Sequence, residues 1–264
     1  MFEPLRAHAG ALAVPDWPAR PALQRLLARG GNPVMTRSGL PLHLAPAGGR
    51  MKGFEERFEA RVHLKGEMVF RERNWHDLLN LLIWLTFPRA KAALNARHFE
   101  ALEAQRAAGA ANRGPAQDAL TLLDEGGVIV ASCDDELLGL LREWRWKELF
   151  WSNRARLRSR MRFIVFGHAL LEKALQPFIG IAGRGVLLRI EPGLLALPPV
   201  ERIAELDSRL AAYVSAPGNL TATRELAVVP VLGVPGWYPG NEREIFYDNT
   251  DYFRPRRARE QQFR

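Results

Sequence analysis

The sequence has almost no cysteine and no long apolar run. Its 264 residues include one cysteine, Cys133, which excludes an internal disulfide bond and a zinc site built on paired cysteines. A lone thiol is typical of a reducing compartment. The apolar runs are all shorter than the roughly 18 residues that a membrane span needs, and the N-terminal residues lack the pattern of a signal peptide. We therefore expect a cytoplasmic protein with no membrane partner.

The familiar catalytic motifs are missing as well. The sequence contains no His-Glu-x-x-His pair and no glycine-rich phosphate-binding loop. In "GHAL", His168 stands where a nucleophile elbow would need Ser or Cys. None of these short motifs points to a reaction, so a candidate site has to be built from residues of several segments.

The composition is that of a folded protein, since 47% of the residues are hydrophobic and 25% are charged. The apolar patterns predict a single helix-rich α+β domain over residues 51–253. An irregular segment, residues 1–50, is expected to pack on this domain, and a basic, flexible tail, residues 254–264, is expected to follow it. Proline, glycine and aromatic residues crowd residues 227–255, which predicts a long ordered loop region there.

Four segments have the pattern of β-structure. Apolar and polar residues alternate in "RFEARVHL", "KG" follows, and "EMVFR" comes next, which predicts a β-hairpin near residues 57–71. Short apolar runs next to turn residues predict strands near residues 127–131, 161–166 and 185–190.

The segment "RNWHDLLNLLIWLTFP", residues 73–88, predicts a helix that is apolar nearly all round and therefore buried. It nevertheless carries polar side chains. Asn74 and Asp77 have the spacing of a helix N-cap and its capping partner, which requires no function. His76 and Asn80 lie one turn apart on one face, and an unpaired buried amide costs about 1–3 kcal/mol. Asn80 must therefore find partners in the interior, and His76, in the first helical turn, is expected to be neutral and able to accept a proton or bind a metal.

Polar pairs at helical spacing recur on three more predicted helices. They are Asn95 with His98, Asp118 with Glu125 and the neighbouring Asp124, and His168 with Glu172. Because buried polar groups need one another, we expect the four sets to converge. The converged groups would form either an acid–base or metal site, or a purely structural network.

The site hypothesis assigns roles to these residues. The catalytic candidates are His76, His98, His168, Asp118, Glu125 and Glu172. The candidate ligands of a divalent metal are His76, His98, His168 and Asp124. The candidate substrate-binding residues are Asn80, Asn95 and, on the C-terminal loops, Trp237 and Asp248. The enzyme would be a hydrolase acting on a small or phosphorylated substrate.

The basic residues suggest an alternative. The formal charge is +8, and "RARLRSRMR", residues 154–162, carries five arginines and no acid. Such a cluster favours binding of nucleic acid or another polyanion. The residues involved would be Arg154, Arg156, Arg158, Arg160 and Arg162, with the polar helix faces being structural.

Several stretches together resemble a bacterial family known as domain of unknown function 3025. They are "NWHDLLNLLIWLTFPRAKAALNARH", "DALTLLDEGGVIVAS", "WKELFW", "FGHALLEKAL", "PVLGVPGW" and "FYDNTDYFRP". The resemblance covers about residues 55–256 and implies a bacterial, cytosolic protein with one domain. It implies no reaction, but the polar helix faces lie within the stretches that carry it.

Overall fold

The structure, a computed structural model, describes residues 1–13, 16–28, 32–48 and 53–256. Its α-helices are α1 (Ala9–Leu12), α2 (Arg20–Leu27), α3 (Phe58–Lys65), α4 (Trp75–Thr86), α5 (Pro88–Ala107), α6 (Pro115–Gly126), α7 (Asp135–Arg142), α8 (Arg154–Arg160), α9 (His168–Ala174), α10 (Pro192–Ala196) and α11 (Pro199–Ser215). Its strands are β1 (His43–Pro46), β2 (Glu67–Phe70), β3 (Gly127–Ser132), β4 (Met161–Val165), β5 (Gly183–Arg189) and β6 (Ala227–Val229). The predicted α+β class, with one helix-rich domain, is confirmed.

The main sheet has the strand order β4-β3-β5-β6. Strand β3 pairs antiparallel with β4 and parallel with β5, and all six of its residues are buried. A strand covered on both faces needs the continuous apolar run that its sequence provides. The strands predicted near residues 127–131, 161–166 and 185–190 are thus confirmed as β3, β4 and β5.

The predicted hairpin near residues 57–71 is wrong. Its first half is the helix α3, and β2 pairs parallel with β1 of the preceding segment. Gly66, which the sequence suggested as a hairpin turn, ends α3 in the left-handed conformation (φ +67°), and its N–H bonds to the carbonyls of Arg61 and Val62. Helix ends and hairpin turns both favour glycine at positive φ, so the local sequence does not separate them.

Gly66 offers a direct test of this arrangement. A Cβ at Gly66 would lie 2.4 Å from the carbonyl oxygen of Pro41, whereas a Cβ at Gly109, also at positive φ, meets nothing within 4 Å. Both Gly→Ala variants incur the left-handed cost of about 1–2 kcal/mol. We expect Gly66→Ala to lose clearly more stability than Gly109→Ala in urea unfolding, because only Gly66→Ala also creates a backbone clash. Equal losses would contradict the contact between Gly66 and Pro41.

The predicted ordered C-terminal loop region is held by buried hydrogen bonds and aromatic packing. The Asn241 side chain is fully buried and donates to the carbonyls of Leu232 (2.8 Å) and Val234 (2.7 Å). The Tyr252 hydroxyl donates to the Ile181 carbonyl (2.8 Å) and accepts from the Leu232 N–H (2.9 Å). Side chains thus satisfy the backbone groups that regular structure would otherwise pair.

The N-terminal segment contains the helices α1 and α2, the strand β1 and a 3-10 helix, Glu3–His8. Leu23 and Leu27 of α2 are buried in the common core. The expected basic tail lies outside the described residues from position 257 onward. Among the described residues, no helix has both the length and the apolar character needed to cross a membrane.

Four helices position the candidate site. Residues 77–84 of α4 are all buried, as its apolar circumference predicts. Helix α4 contacts α5 and α9, and α6 contacts α5 and α9. The polar faces predicted on these four helices therefore approach one another at a common centre.

Candidate functional site

A cavity of about 660 Å³ opens between these helices. It is lined by the first residues of α3, by β2, and by side chains of α4, α5, α6 and α9. The predicted residues that line it are His76, Asn80, His98, Asp124, Glu125 and His168. The structure therefore brings together most of the set proposed from the sequence.

The loop before α9 brings His168 close to the end of α6. The N–H groups of Phe166 and Gly167 both donate to the carbonyl of Gly127, at 2.9 and 2.8 Å. A Cβ at Gly167 would lie 2.6 Å from the Glu125 carbonyl oxygen, so only glycine permits this approach. His168 follows immediately and is held beside Glu125.

Two histidines meet at the centre of the cavity. Nε2 of His76 lies 3.0 Å from Nε2 of His168, and the ring centroids are 4.5 Å apart at 74°. Nδ1 of His76 lies 3.0 Å from the Glu172 carboxylate. A carboxylate accepts only, so His76 carries its proton on Nδ1 and its Nε2 has a free lone pair. Glu172, one turn after His168 on α9, thus fixes the tautomer of His76.

The neighbours of His168 favour the same tautomer. Its buried Nδ1 makes no hydrogen bond and faces a carboxylate oxygen of Asp124 at 4.0 Å. A proton on Nδ1 is attracted by that carboxylate, whereas a lone pair there is repelled. With both rings protonated on Nδ1, two Nε2 lone pairs point at each other across 3.0 Å. In this tautomer a metal ion or a proton between the two nitrogens would stabilise the contact, whereas a His168 ring protonated on Nε2 would make an ordinary N–H···N hydrogen bond to His76.

A third ligand group lies beside the two imidazoles. A carboxylate oxygen of Glu125 is 3.8 Å from His168 Nε2, and one ligand atom each of His76, Glu125 and His168 lies within 4.8 Å of the others. Ligands bound at 2.0–2.2 Å around a tetrahedral ion lie about 3.3–3.6 Å apart. Within the described residues, these three side chains are the group with metal-ligand spacing.

Charge in the cavity is set by a buried ion pair. Lys91 donates to Asp124, and both side chains are almost inaccessible, with 3% and 10% exposed. Burial alone would raise the pKa of Asp124, but the nearby positive charge of Lys91 and the neighbouring His168 and His98 lower that pKa to about 2. Asp124 is therefore an anion that faces His168 at neutral pH.

Burial shifts the pKa values of His168 and Glu125 in opposite directions. Burial lowers the pKa of His168 to about 4, although Asp124 opposes this shift. The imidazole is therefore neutral at pH 7 and can bind a metal through Nε2. Burial, and then the charge of Asp124, raise the pKa of Glu125. A cation bound at Glu125 would favour its carboxylate form again.

The capping prediction for α4 is confirmed at Asn74, whose side chain accepts from the Asp77 N–H at 3.0 Å. Asp77 itself binds Arg71 through two side-chain hydrogen bonds, of 3.0 and 2.7 Å. This ion pair ties the end of β2 to the start of α4, so Asp77 is a structural residue of the cavity wall.

Four predicted site residues lie elsewhere. Asp118 is exposed on α6, and Asn95 donates to the backbone and side chain of Glu59. Trp237 packs edge-on against a core phenylalanine, and Asp248 forms an exposed ion pair with Lys147 at 2.8 Å. These four side chains do not line the cavity. His98 lines it but lies outside the group with metal-ligand spacing.

The sequence reasoning missed four residues of the site: Lys91, Gln117, Arg57 and Arg113. Helical spacing could have identified Lys91 and Gln117. Lys91 lies seven residues before His98 and Gln117 seven before Asp124, so each shares a helix face with a predicted site residue. The two arginines precede α3 and α6, and no periodicity marks such positions.

The arginine cluster is partly neutralised. Arg154 forms an ion pair with Glu242, and Arg156 binds both Asp134 and Glu136 at 2.7 Å. Arg158 and Arg160 are exposed, and Arg162 donates to the Met161 carbonyl at 2.9 Å. The paired side chains reduce the positive charge on which the polyanion-binding alternative depends.

Comparison with known proteins gives one match. Residues 47–257, most of the chain, match the family described as "Protein of unknown function (DUF3025)". This range contains all the cavity residues. No curated protein and no solved structure matches the chain.

Proposed function

The chain belongs to the DUF3025 family, and we propose that it is a metal-dependent hydrolase acting on a small or phosphorylated substrate. His76, His168 and Glu125 hold one divalent ion, and the reaction takes place in the cavity beside them. The lone cysteine, Cys133, fits an enzyme of the bacterial cytoplasm.

One observation carries the proposal: Nε2 of His76 and Nε2 of His168 lie 3.0 Å apart beside the Glu125 carboxylate. A shared proton is the competing explanation for this contact. Burial lowers the pKa of His168 to about 4, so a bridging proton at pH 7 would be the single proton of the neutral ring, held on Nε2 instead of on the Nδ1 that faces Asp124. A divalent ion satisfies both lone pairs and the carboxylate of Glu125 at once.

The ligand set agrees with hydrolysis. Two histidines and one glutamate are the protein ligands of several zinc hydrolases and leave a coordination position for water. An ion held by His76, His168 and Glu125 would supply a water molecule activated for nucleophilic attack near neutral pH. Glu172 orients His76 through Nδ1, and Asp124 faces Nδ1 of His168. Carboxylates behind metal-bound histidines fix the ring orientation and raise ligand basicity.

The other cavity residues would serve the substrate. The Asn80 amide lies one helical turn from His76, and His98 faces the same space from α5. The amide of Asn80 has two N–H donors and one carbonyl acceptor, which could orient a bound molecule. His98 is positioned to exchange a proton with a substrate group once the substrate is bound.

Metal analysis tests the proposal. We expect chelator-treated protein to bind one Zn²⁺ or Mn²⁺ per chain and to gain about 2.7 kcal/mol of stability at a hundredfold excess of ion over Kd. Hydrolysis of chromogenic phosphate and carboxylate esters should depend on the added ion. The measurements are calorimetric titration, thermal unfolding and initial rates.

The controls separate this site from others. Glu125→Gln should abolish ion binding, whereas His63→Asn, a change outside the cavity, should leave it intact. Substoichiometric metal with an unchanged Tm would contradict the proposal. So would an iron centre with oxygen-dependent turnover, since two histidines and a carboxylate also hold iron in oxygenases.

A further inference from the structure

Two arginines of the cavity form no hydrogen bond or ion pair with the described part of the chain. Arg57 lies directly before α3 and Arg113 lies in the loop before α6, and both line the cavity. Both side chains are exposed, and no residue that the structure describes accepts a hydrogen bond from either guanidinium or pairs with it. Arg71, by contrast, is bound to Asp77. Two guanidinium groups are therefore available to a ligand.

The charges around these arginines favour an anion. Asp77 is paired with Arg71, and Asp124 is paired with Lys91. The acids that remain in the wall are Glu59 and Glu125, and Glu125 would bind the metal ion in the proposed function. Arg57, Arg113 and a divalent ion together outweigh these two carboxylates. The metal-loaded cavity is therefore positively charged.

Two buried side-chain amides of the cavity also have oxygens that lack a hydrogen-bond donor among the described residues. Asn80 and Gln117 are only 6% and 5% exposed and line the same cavity, and no described residue donates a hydrogen bond to Oδ1 of Asn80 or Oε1 of Gln117. An unsatisfied buried polar atom costs about 1–3 kcal/mol. The amides come from α4 and α6, on either side of the cavity. Both oxygens are closed to solvent, so a ligand with hydroxyl or amino groups would satisfy them only after the two amide groups turn toward the cavity.

We infer that the cavity binds a phosphate-bearing small molecule, with Arg57 and Arg113 contacting the phosphate and Asn80 and Gln117 contacting the polar remainder. This inference rests on the proposed function and names its substrate class. A phosphate dianion offers three acceptor oxygens and can engage two planar guanidiniums, whereas one carboxylate matches one guanidinium. Two unpaired arginines on separate elements therefore favour phosphate over carboxylate.

Binding of phenyl phosphate, with benzoate as the carboxylate probe, tests the inference. We expect phenyl phosphate to bind the Mn²⁺-loaded protein at least tenfold more tightly than benzoate. Arg57→Gln with Arg113→Gln should weaken phenyl phosphate binding by about tenfold per arginine, as expected for a hydrogen bond to a charged group, while Mn²⁺ binding stays unchanged. The measurement is calorimetric titration of the full-length protein.

A matched control removes the same charge elsewhere. Arg158→Gln with Arg160→Gln changes two exposed arginines outside the cavity and should leave phenyl phosphate binding intact. An equal loss in this control would mean that net charge, and not the two cavity arginines, attracts the ligand, and would overturn the inference. Equal affinity for benzoate would overturn the choice of phosphate.

The same titrations separate this inference from the proposed function. A chain that binds no metal but loses phenyl phosphate with Arg57→Gln and Arg113→Gln contradicts the hydrolase proposal and supports the anion site. A chain that binds one metal ion but holds phenyl phosphate independently of the two arginines supports the hydrolase proposal and contradicts the anion site.

Discussion

His168→Asn is expected to lower the metal affinity by more than about 100-fold and to abolish hydrolysis. His168 Nε2 faces His76 Nε2 at 3.0 Å and lies beside the Glu125 carboxylate, so its loss removes one of three ligands. Loss of a residue that only supports a ligand costs about 10–100-fold in affinity or activity. A missing ligand should cost more. Calorimetric metal titration and initial rates measure both effects.

A graded series distinguishes ligands from supporting residues. Glu172→Gln keeps all three ligands but replaces the carboxylate that accepts from His76 Nδ1, and we expect it to lower metal affinity by about 10–100-fold. Because Glu172 is exposed to solvent over 42% of its side chain, this variant should fold normally.

The control for His168 is His63→Asn. His63 stacks on Phe99 with ring centroids 4.2 Å apart and lies outside the cavity, so metal binding should be unchanged. His168 is buried, and unfolding curves must show that His168→Asn remains folded. If the folded His168→Asn protein still holds one tightly bound ion per chain, the ion occupies another site and the ligand assignment is wrong.

Asp124→Leu is expected to destabilise the protein by about 3–5 kcal/mol, the usual cost of leaving a buried charge unpaired. The partner, Lys91, has 3% of its side chain exposed and reaches no solvent that would replace the carboxylate. Its ammonium group also lies 5.5 Å from the Trp84 ring centroid, a contact too weak to compensate. Urea unfolding of the metal-free protein measures the loss without a contribution from bound ion.

A second change tests the cause. Lys91→Met in the Asp124→Leu background removes the stranded charge and should restore most of the stability, because well-packed apolar pairs often replace buried ion pairs without loss. The double variant should nevertheless bind metal more weakly, since Nδ1 of His168 no longer faces a carboxylate. If the single and double variants are equally unstable, the loss comes from altered packing and not from an unpaired lysine.

Helix periodicity predicted a large part of the site. His168 and Glu172 lie four residues apart on an apolar helix, and both reach His76 in the structure. Asn80, one turn after His76, lines the same cavity. These relations follow from 3.6 residues per turn and from the need of buried polar groups for partners, so the local sequence is sufficient.

Helical spacing predicted the wrong side chain on α6, where a shift of one position changes which residue faces the cavity. Helical spacing places Asp118 on one face of α6 with Glu125, but Asp118 is exposed, and its neighbour Gln117 lines the cavity. A step of about 100° per residue separates the two, and only the packing of α6 against α5 and α9 decides which of them faces inward. Trp237 lies on a loop and Asp248 ends a short 3-10 helix, Glu244–Asp248, so no long periodic pattern orients either side chain.

The sequence by itself predicted the strands β3, β4 and β5 and the helices α4, α5, α6 and α9, because apolar spacing and glycine or proline positions act within a few residues. It also determined that His76 and His168 belong to buried helices that need polar partners. Only the tertiary structure decided that Gly66 ends a helix, that Lys91 neutralises Asp124, and that two Nε2 atoms meet at 3.0 Å. Such pairings join residues up to 92 positions apart, and the packing angle between helices, which no local pattern encodes, fixes them.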